Sequence, residues 1–185
     1  MKNKLKYFYS YTPLIIFFIL VLFFARQLIL KEDPSELPSV LIDEKFPSIA
    51  LSELPGYKVF SNKNLINANG PSLVNIWSSW CVPCKIEHEY LMSMSNNIII
   101  YGINYKDNKE DALKVLELNG NPFYAIGADR DGMQSINLGV YGVPETFIID
   151  RDGNIRYRHV GPILEYDMEK IILPIINKIK QERLW

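Results

Sequence analysis

The chain contains only two cysteines, Cys81 and Cys84, and they stand between a stretch that reads as a buried strand and one that reads as a helix. Ser72 to Ser78 is short, mostly apolar and preceded by the turn-forming Asn69-Gly70-Pro71, while Lys85 to Ser95 has helical composition. A cysteine in the first turn of a helix meets N–H groups without intrahelical partners and the positive end of the dipole, and both stabilise a thiolate. Two intervening residues let the second sulfur reach the first, so the pair can cycle between dithiol and disulfide. Pro83 is tolerated between them because a first-turn N–H is unpaired in any case. Such a pair on a strand-to-helix junction is a redox signal.

Two other uses of the cysteines are weaker. A structural disulfide closing so small a loop gives little entropic stabilisation. Metal binding would recruit His88, four residues after Cys84 on the same helix face, with His159 completing a Cys2His2 set. Neither histidine has a second ligand at zinc-like spacing, so both read as packed or surface residues, and neither metal nor other cofactor is expected.

Around the cysteines the elements alternate. Ile98 to Ile103 reads as a second buried strand. Asn108 caps a helix that stops at Asn119-Gly120, and Phe123 to Ala128 reads as a third strand. Glu145 to Ile149 and Ile155 to Val160 read as a hairpin around Asp150-Arg151-Asp152-Gly153. The same four-residue motif occurs at Asp129 to Gly132; both copies read as turns, since neither has the further ligands of a calcium loop. A C-terminal stripe of isoleucines at helical spacing contains Pro174, which predicts a kink or a late start. This order predicts an α/β fold with a mixed sheet flanked by helices.

The N-terminus has a different character. Tyr7 to Ala25 carries no charge and Leu14 to Ala25 is apolar throughout. At ~1.5 Å per residue such a helix covers the ~30 Å core of a bilayer. Lys2, Lys4 and Lys6 precede it, so the positive-inside rule leaves the start cytoplasmic and exports the rest. A cleaved signal peptide is the alternative, but the apolar segment is long for one and its exit lacks small residues three apart. The expected domains are 1–30, a cytoplasmic start with a transmembrane anchor; 31–44, a polar, proline-interrupted tether; and 45–185, one globular domain. The net charge of −1 conceals this division, because the first 30 residues hold four of the 20 basic groups and none of the 21 acidic ones. With 48% hydrophobic residues the chain can bury a core, and its charge balance gives no general attraction to nucleic acid.

Far from the cysteines, Gly142-Val143-Pro144-Glu145-Thr146 opens the hairpin. A proline there is an ordinary edge or turn residue on its own. Beside a dithiol, a cis Val143-Pro144 bond leaves the backbone groups of Val143 free to pair with an incoming peptide.

Together these blocks resemble the thioredoxin fold and, more narrowly, the membrane-tethered periplasmic thiol:disulfide interchange proteins of cytochrome c maturation, the CcmG/DsbE group. The resemblance covers roughly residues 40–180. It rests on Val74 to Lys85 with Glu87-His88, on Gly139 to Asp150, and on Tyr157 to Pro162. It implies Cys81 as nucleophile and Cys84 as resolving thiol, paired as a redox-active disulfide. Trp80, Val143 and Pro144 would bind substrate, and Glu87 and Glu145 would form an acidic surround that raises the thiol pKa and favours reduction of partners. The implied partners are apocytochrome c, or a thiol protein of its maturation, and a membrane thiol-electron donor of DsbD/CcdA type. The implied location is a bacterial inner membrane, crossed once, with the C-terminal domain in the periplasm. The chain departs from the group at Glu89, where a helix-kinking proline is common, and at Asn75, which replaces the buried acid of ordinary thioredoxins. A carboxylate for the resolving thiol must then come from elsewhere. A general periplasmic reductase and a copper chaperone using Cys81, Cys84 and a histidine are the competing functions.

Overall fold

The computed structural model describes residues 2–29, 41–66 and 70–182, with side chains in the first stretch from residue 11 to 26. The chain divides into two units, Met1–Leu37 and Pro38–Trp185.

In the first unit, helix α1 spans Lys2–Ile29. Pro13 lies inside it, and from Leu14 to Phe24 every side chain is apolar and exposed. Among the described residues no helix is long and apolar enough to cross a membrane. Most of the expected tether, residues 31–40, lies outside the described residues. Its last residues, 41–44, are bonded into the second unit: the Asp43 N–H donates to Ile155 O at 2.7 Å and the Ile155 N–H to Glu44 O at 2.8 Å.

The second unit is a five-stranded sheet in the order β3-β2-β1-β4-β5. The strands are β1 Ser72–Trp77, β2 Ile99–Tyr105, β3 Ala125–Asp129, β4 Glu145–Ile149 and β5 Ile155–Val160. β1, β2 and β3 run parallel, and β4 is antiparallel to both β1 and β5. All six residues of β1 are buried, which explains why its sequence is an apolar run without alternation. Helix α3, Val82–Ser95, leaves β1 directly, and α4, Lys109–Asn119, joins β2 to β3. The Asn108 side chain accepts the N–H groups of Glu110 and Asp111, so α4 begins at its expected cap.

The sheet divides the core. On the α3 face, Leu73, Trp77, Ile100, Ile126 and Ile148 pack with Leu91, Met94 and the C-terminal Ile172 and Ile176. On the other, Val74, Ile76, Tyr101, Ile103 and Phe147 pack with Phe46, Phe60 and Leu65. Phe60 and Tyr101 stack with ring centroids 4.8 Å apart.

Three details differ from the sequence reading. Helices α2, Asn62–Ile66, and α5, Met133–Asn137, are single turns too short to show a periodicity. β3 starts at Ala125, because Phe123 stacks on Trp77 instead of entering the ladder. The C-terminal stripe forms α6, Glu165–Asp167, a π-turn at Met168–Ile172 and α7, Leu173–Gln181. The wider turn puts Pro174 in the first positions of α7, where a missing N–H breaks no ladder bond. At Glu89 the structure follows the sequence, since α3 runs unbroken to Ser95.

Candidate active site

The site lies where β1 passes into α3. Cys81 is the N-cap of α3, and its sulfur accepts the N–H of Cys84 at 3.1 Å. Here the pair is oxidised, with the two Cα atoms 5.3 Å apart. Both cysteines are buried, while Trp80, Val82 and Ile86 around them are exposed.

The segment before Cys81 is fastened to the loop that follows β2. Asp107 accepts the Ser79 N–H and the Ser79 hydroxyl, each at 2.6 Å, and the Asn104 side-chain amide at 2.7 Å. Ser78 donates its hydroxyl to Tyr105 O, and the Trp80 indole N–H reaches Lys106 O at 3.1 Å. Asp107 has no motif signature; its partners become neighbours only because β1 and β2 are paired.

From the other side comes the loop before β4. The Val143-Pro144 peptide is cis, and Val143 O lies 3.5 Å from the Cys81 sulfur. Pro144 O accepts the N–H of Gly161 at 3.0 Å, so the turn after β5 supports the proline. Trp80, Cys81, Val143 and Pro144 are thus brought together from segments more than 60 residues apart in sequence.

Beneath Cys84, the inward face of α3 carries Cys84, Glu87, Leu91 and Met94, a helical series in which one member is a carboxylate. Glu87 is fully buried; it accepts the Asn75 amide at 2.9 Å and the Ile163 N–H at 3.0 Å. Asn75 gives its other hydrogen to the Thr146 hydroxyl at 3.0 Å. A small cavity bordered by Asn75, Trp77, Cys84, Glu87 and His88 lies between them. Burial pushes the Glu87 pKa up to about 7, with the bonds from Ile163 and Asn75 acting in the opposite direction. Glu87 thus puts a buried carboxylate beside Asn75 and on the same face of α3 as Cys84.

Glu145 has a different place from the one the sequence suggests. Strand alternation turns Thr146 and Ile148 toward α3, and Glu145 and Phe147 away from it. There Glu145 is buried against Arg158, with Nε 2.7 Å from its carboxylate. The two glutamates do not form one acidic surround: they occupy opposite faces of the sheet, and one has its charge matched. The histidines are likewise separate from the sulfurs in their bonding, His88 to Gly120 O at 3.1 Å and His159 to Pro162 O at 3.4 Å.

The comparisons with known proteins agree with this geometry. The family model described as Redoxin matches residues 42–172. A thiol:disulfide interchange protein DsbE from Yersinia pestis is 41% identical over 182 residues, 95% of this chain and 94% of its own. The DsbE protein of Escherichia coli (strain K12) is 38% identical over 174 residues, 92% of this chain and 94% of its own. The solution structure of a thiol:disulfide interchange protein from Bacteroides sp. superposes with a TM-score of 0.61 at 21% identity, over 78% of this chain and 96% of that one, and so shares the fold.

Proposed function

The chain belongs to the Redoxin family, and within it to the DsbE thiol:disulfide interchange proteins, and from that premise we propose that this thiol:disulfide oxidoreductase acts as a membrane-tethered reductant of the apocytochrome c Cys-x-x-Cys-His disulfide. The observation that carries the reading is the pairing of a capped, nucleophilic Cys81 under Val143 O with a buried carboxylate behind Cys84.

The cycle begins from the dithiol. The Cys81 thiolate, favoured by the first turn of α3, attacks one sulfur of the substrate disulfide, and the other substrate sulfur leaves as a thiolate. Val143 presents its backbone to the substrate main chain, and Trp80 walls the site. Cys84 then gives its proton toward Glu87 and attacks the Cys81 sulfur. The second substrate thiol is released and the Cys81–Cys84 disulfide remains, so two electrons have passed to the substrate. A membrane thiol donor of DsbD/CcdA type restores the dithiol by the reverse exchange. When ionised, Glu87 disfavours a nearby thiolate and so favours the oxidised product, which makes the pair more reducing.

The charge-free stretch from Tyr7 to Ala25, with three lysines before it, supports an anchor in a bacterial inner membrane, with the N-terminus cytoplasmic and residues 45–185 periplasmic. In such an oxidising compartment the substrate thiols need an active reductant.

Replacing Cys84 by Ser stops the cycle at the mixed disulfide. Expressed in cells that make c-type cytochromes, Cys84→Ser is expected to accumulate a reductant-sensitive adduct with apocytochrome c or a thiol protein of its maturation. A broad set of unrelated exported proteins in the adduct would replace this reading with a general reductase.

A further inference from the structure

The loop that brings Val143 to Cys81 is held from the far side of the sheet. On β5, Arg158 stands opposite Phe147 of β4, and its side chain shares with Glu145 the face turned away from α3. It reaches three residues of the segment 139–145, the loop before β4 and the first residue of that strand. Its Nε donates to the Glu145 carboxylate at 2.7 Å, its Nη2 donates to Gly139 O at 2.9 Å, and its guanidinium lies 4.9 Å over the Tyr141 ring. The second oxygen of Glu145 accepts the Tyr141 N–H at 3.2 Å. Gly139 has a left-handed φ of +73°, so the loop enters through a backbone conformation that few other residues adopt.

We propose that Arg158 is a positioning residue for exchange with peptide disulfides, holding residues 139–145 so that the Val143 carbonyl faces Cys81. The proposal rests on the reading of Val143-Pro144 as the element that pairs with a substrate backbone. A buried ion pair is by itself weak evidence for a stabilising role, since desolvation offsets much of the attraction. What singles out this one is its distribution: the contacts fall on the first, third and last residues of the segment that carries the cis peptide. A guanidinium spreads several donors over a rigid plane and can serve two separated acceptors while stacking on a ring; an ammonium concentrates its three donors at one atom and has no plane to stack. Arg158 does this from behind the sheet, so its influence on the chemistry runs through the loop.

The test compares two disulfides reduced by the full chain in detergent: a cysteine-containing peptide disulfide, and 5,5′-dithiobis(2-nitrobenzoate), which has no backbone to pair. For Arg158→Gln the KM for the peptide is expected to rise about tenfold, several times more than for the small disulfide, because misplacing the loop costs binding geometry and leaves the sulfur chemistry in place. The Cys81 pKa should stay near its wild-type value, and Arg158→Lys should recover part of the loss. If Arg158→Gln does not fold, the Glu145→Gln/Arg158→Gln pair leaves no buried unpaired charge and is read the same way. Equal losses on both disulfides, or an unchanged peptide KM, would overturn the role of Arg158. A wild-type KM for the peptide no lower than that for the small disulfide would overturn the backbone-pairing reading and this proposal with it.

Discussion

Glu87 occupies a position where an apolar residue would be the simpler choice, next after Cys84 on the buried face of α3, and its burial is compensated by one amide and one backbone N–H. With its folded pKa near 7 and an ordinary value of 4.5, the native state holds this proton more tightly than the unfolded chain does. Stability then falls as pH rises from about 4.5 to about 7, by on the order of 3 kcal/mol from this group, and is unaffected by it below that window. Glu87→Gln is expected to flatten the decline in urea midpoints of the oxidised protein across this range. The same titration bears on the reaction. Glu87→Gln should leave the reduction potential close to wild type below pH 5 and make it less negative above pH 7, where the wild-type side chain is charged. Potentials that differ by the same amount at both pH values would remove Glu87 from the tuning of the pair.

Among the elements, the one most exposed to failure is the short segment between β1 and α3, because it must present Cys81 at a fixed angle while carrying the exposed Trp80. Asp107 is its fastening, with three short bonds accepted from Ser79 and Asn104. Hydrogen bonds to a charged acceptor contribute about 1.5–3 kcal/mol each on deletion, and deletions that share one acceptor do not add. Asp107→Ala is therefore expected to destabilise the domain by about 2–3 kcal/mol and to slow disulfide exchange, with Asp107→Asn intermediate in both. Chemical unfolding and stopped-flow exchange would check this. An Asp107→Ala protein as fast as wild type would mean that the α3 cap alone orients Cys81.

At the scale of the whole molecule, the residues from Pro38 onward hold both cores, the sheet and every group of the site. A chain beginning at residue 38 is expected to be soluble, to fold cooperatively and to reduce small disulfides like the full chain. The full chain is expected in the membrane fraction, resistant to alkaline carbonate, with its C-terminal domain open to protease from the periplasmic side. Recovery of the full chain in the soluble fraction would exclude the anchor.

Much of this was legible in residue order. The cysteine spacing, the buried runs, the Asn108 cap and the Asp150–Gly153 turn are local: side-chain period, cap chemistry and turn residues act within a few positions, so they can be read without a fold. The apolar N-terminal stretch is legible for the same reason. What the tertiary structure decided was which distant groups meet. Glu87 and Glu145 look alike in the sequence, and only the pleat of β4 and the inward face of α3 put one behind Cys84 and the other against Arg158. Asp107 lies in no motif, and Arg158 lies in a block, Tyr157 to Pro162, whose sequence does not show what its side chain meets. Their roles depend on contacts between residues 13 to 28 positions apart that strand pairing makes possible. Electrostatic meaning of that kind resides in burial and partners, which no local pattern records.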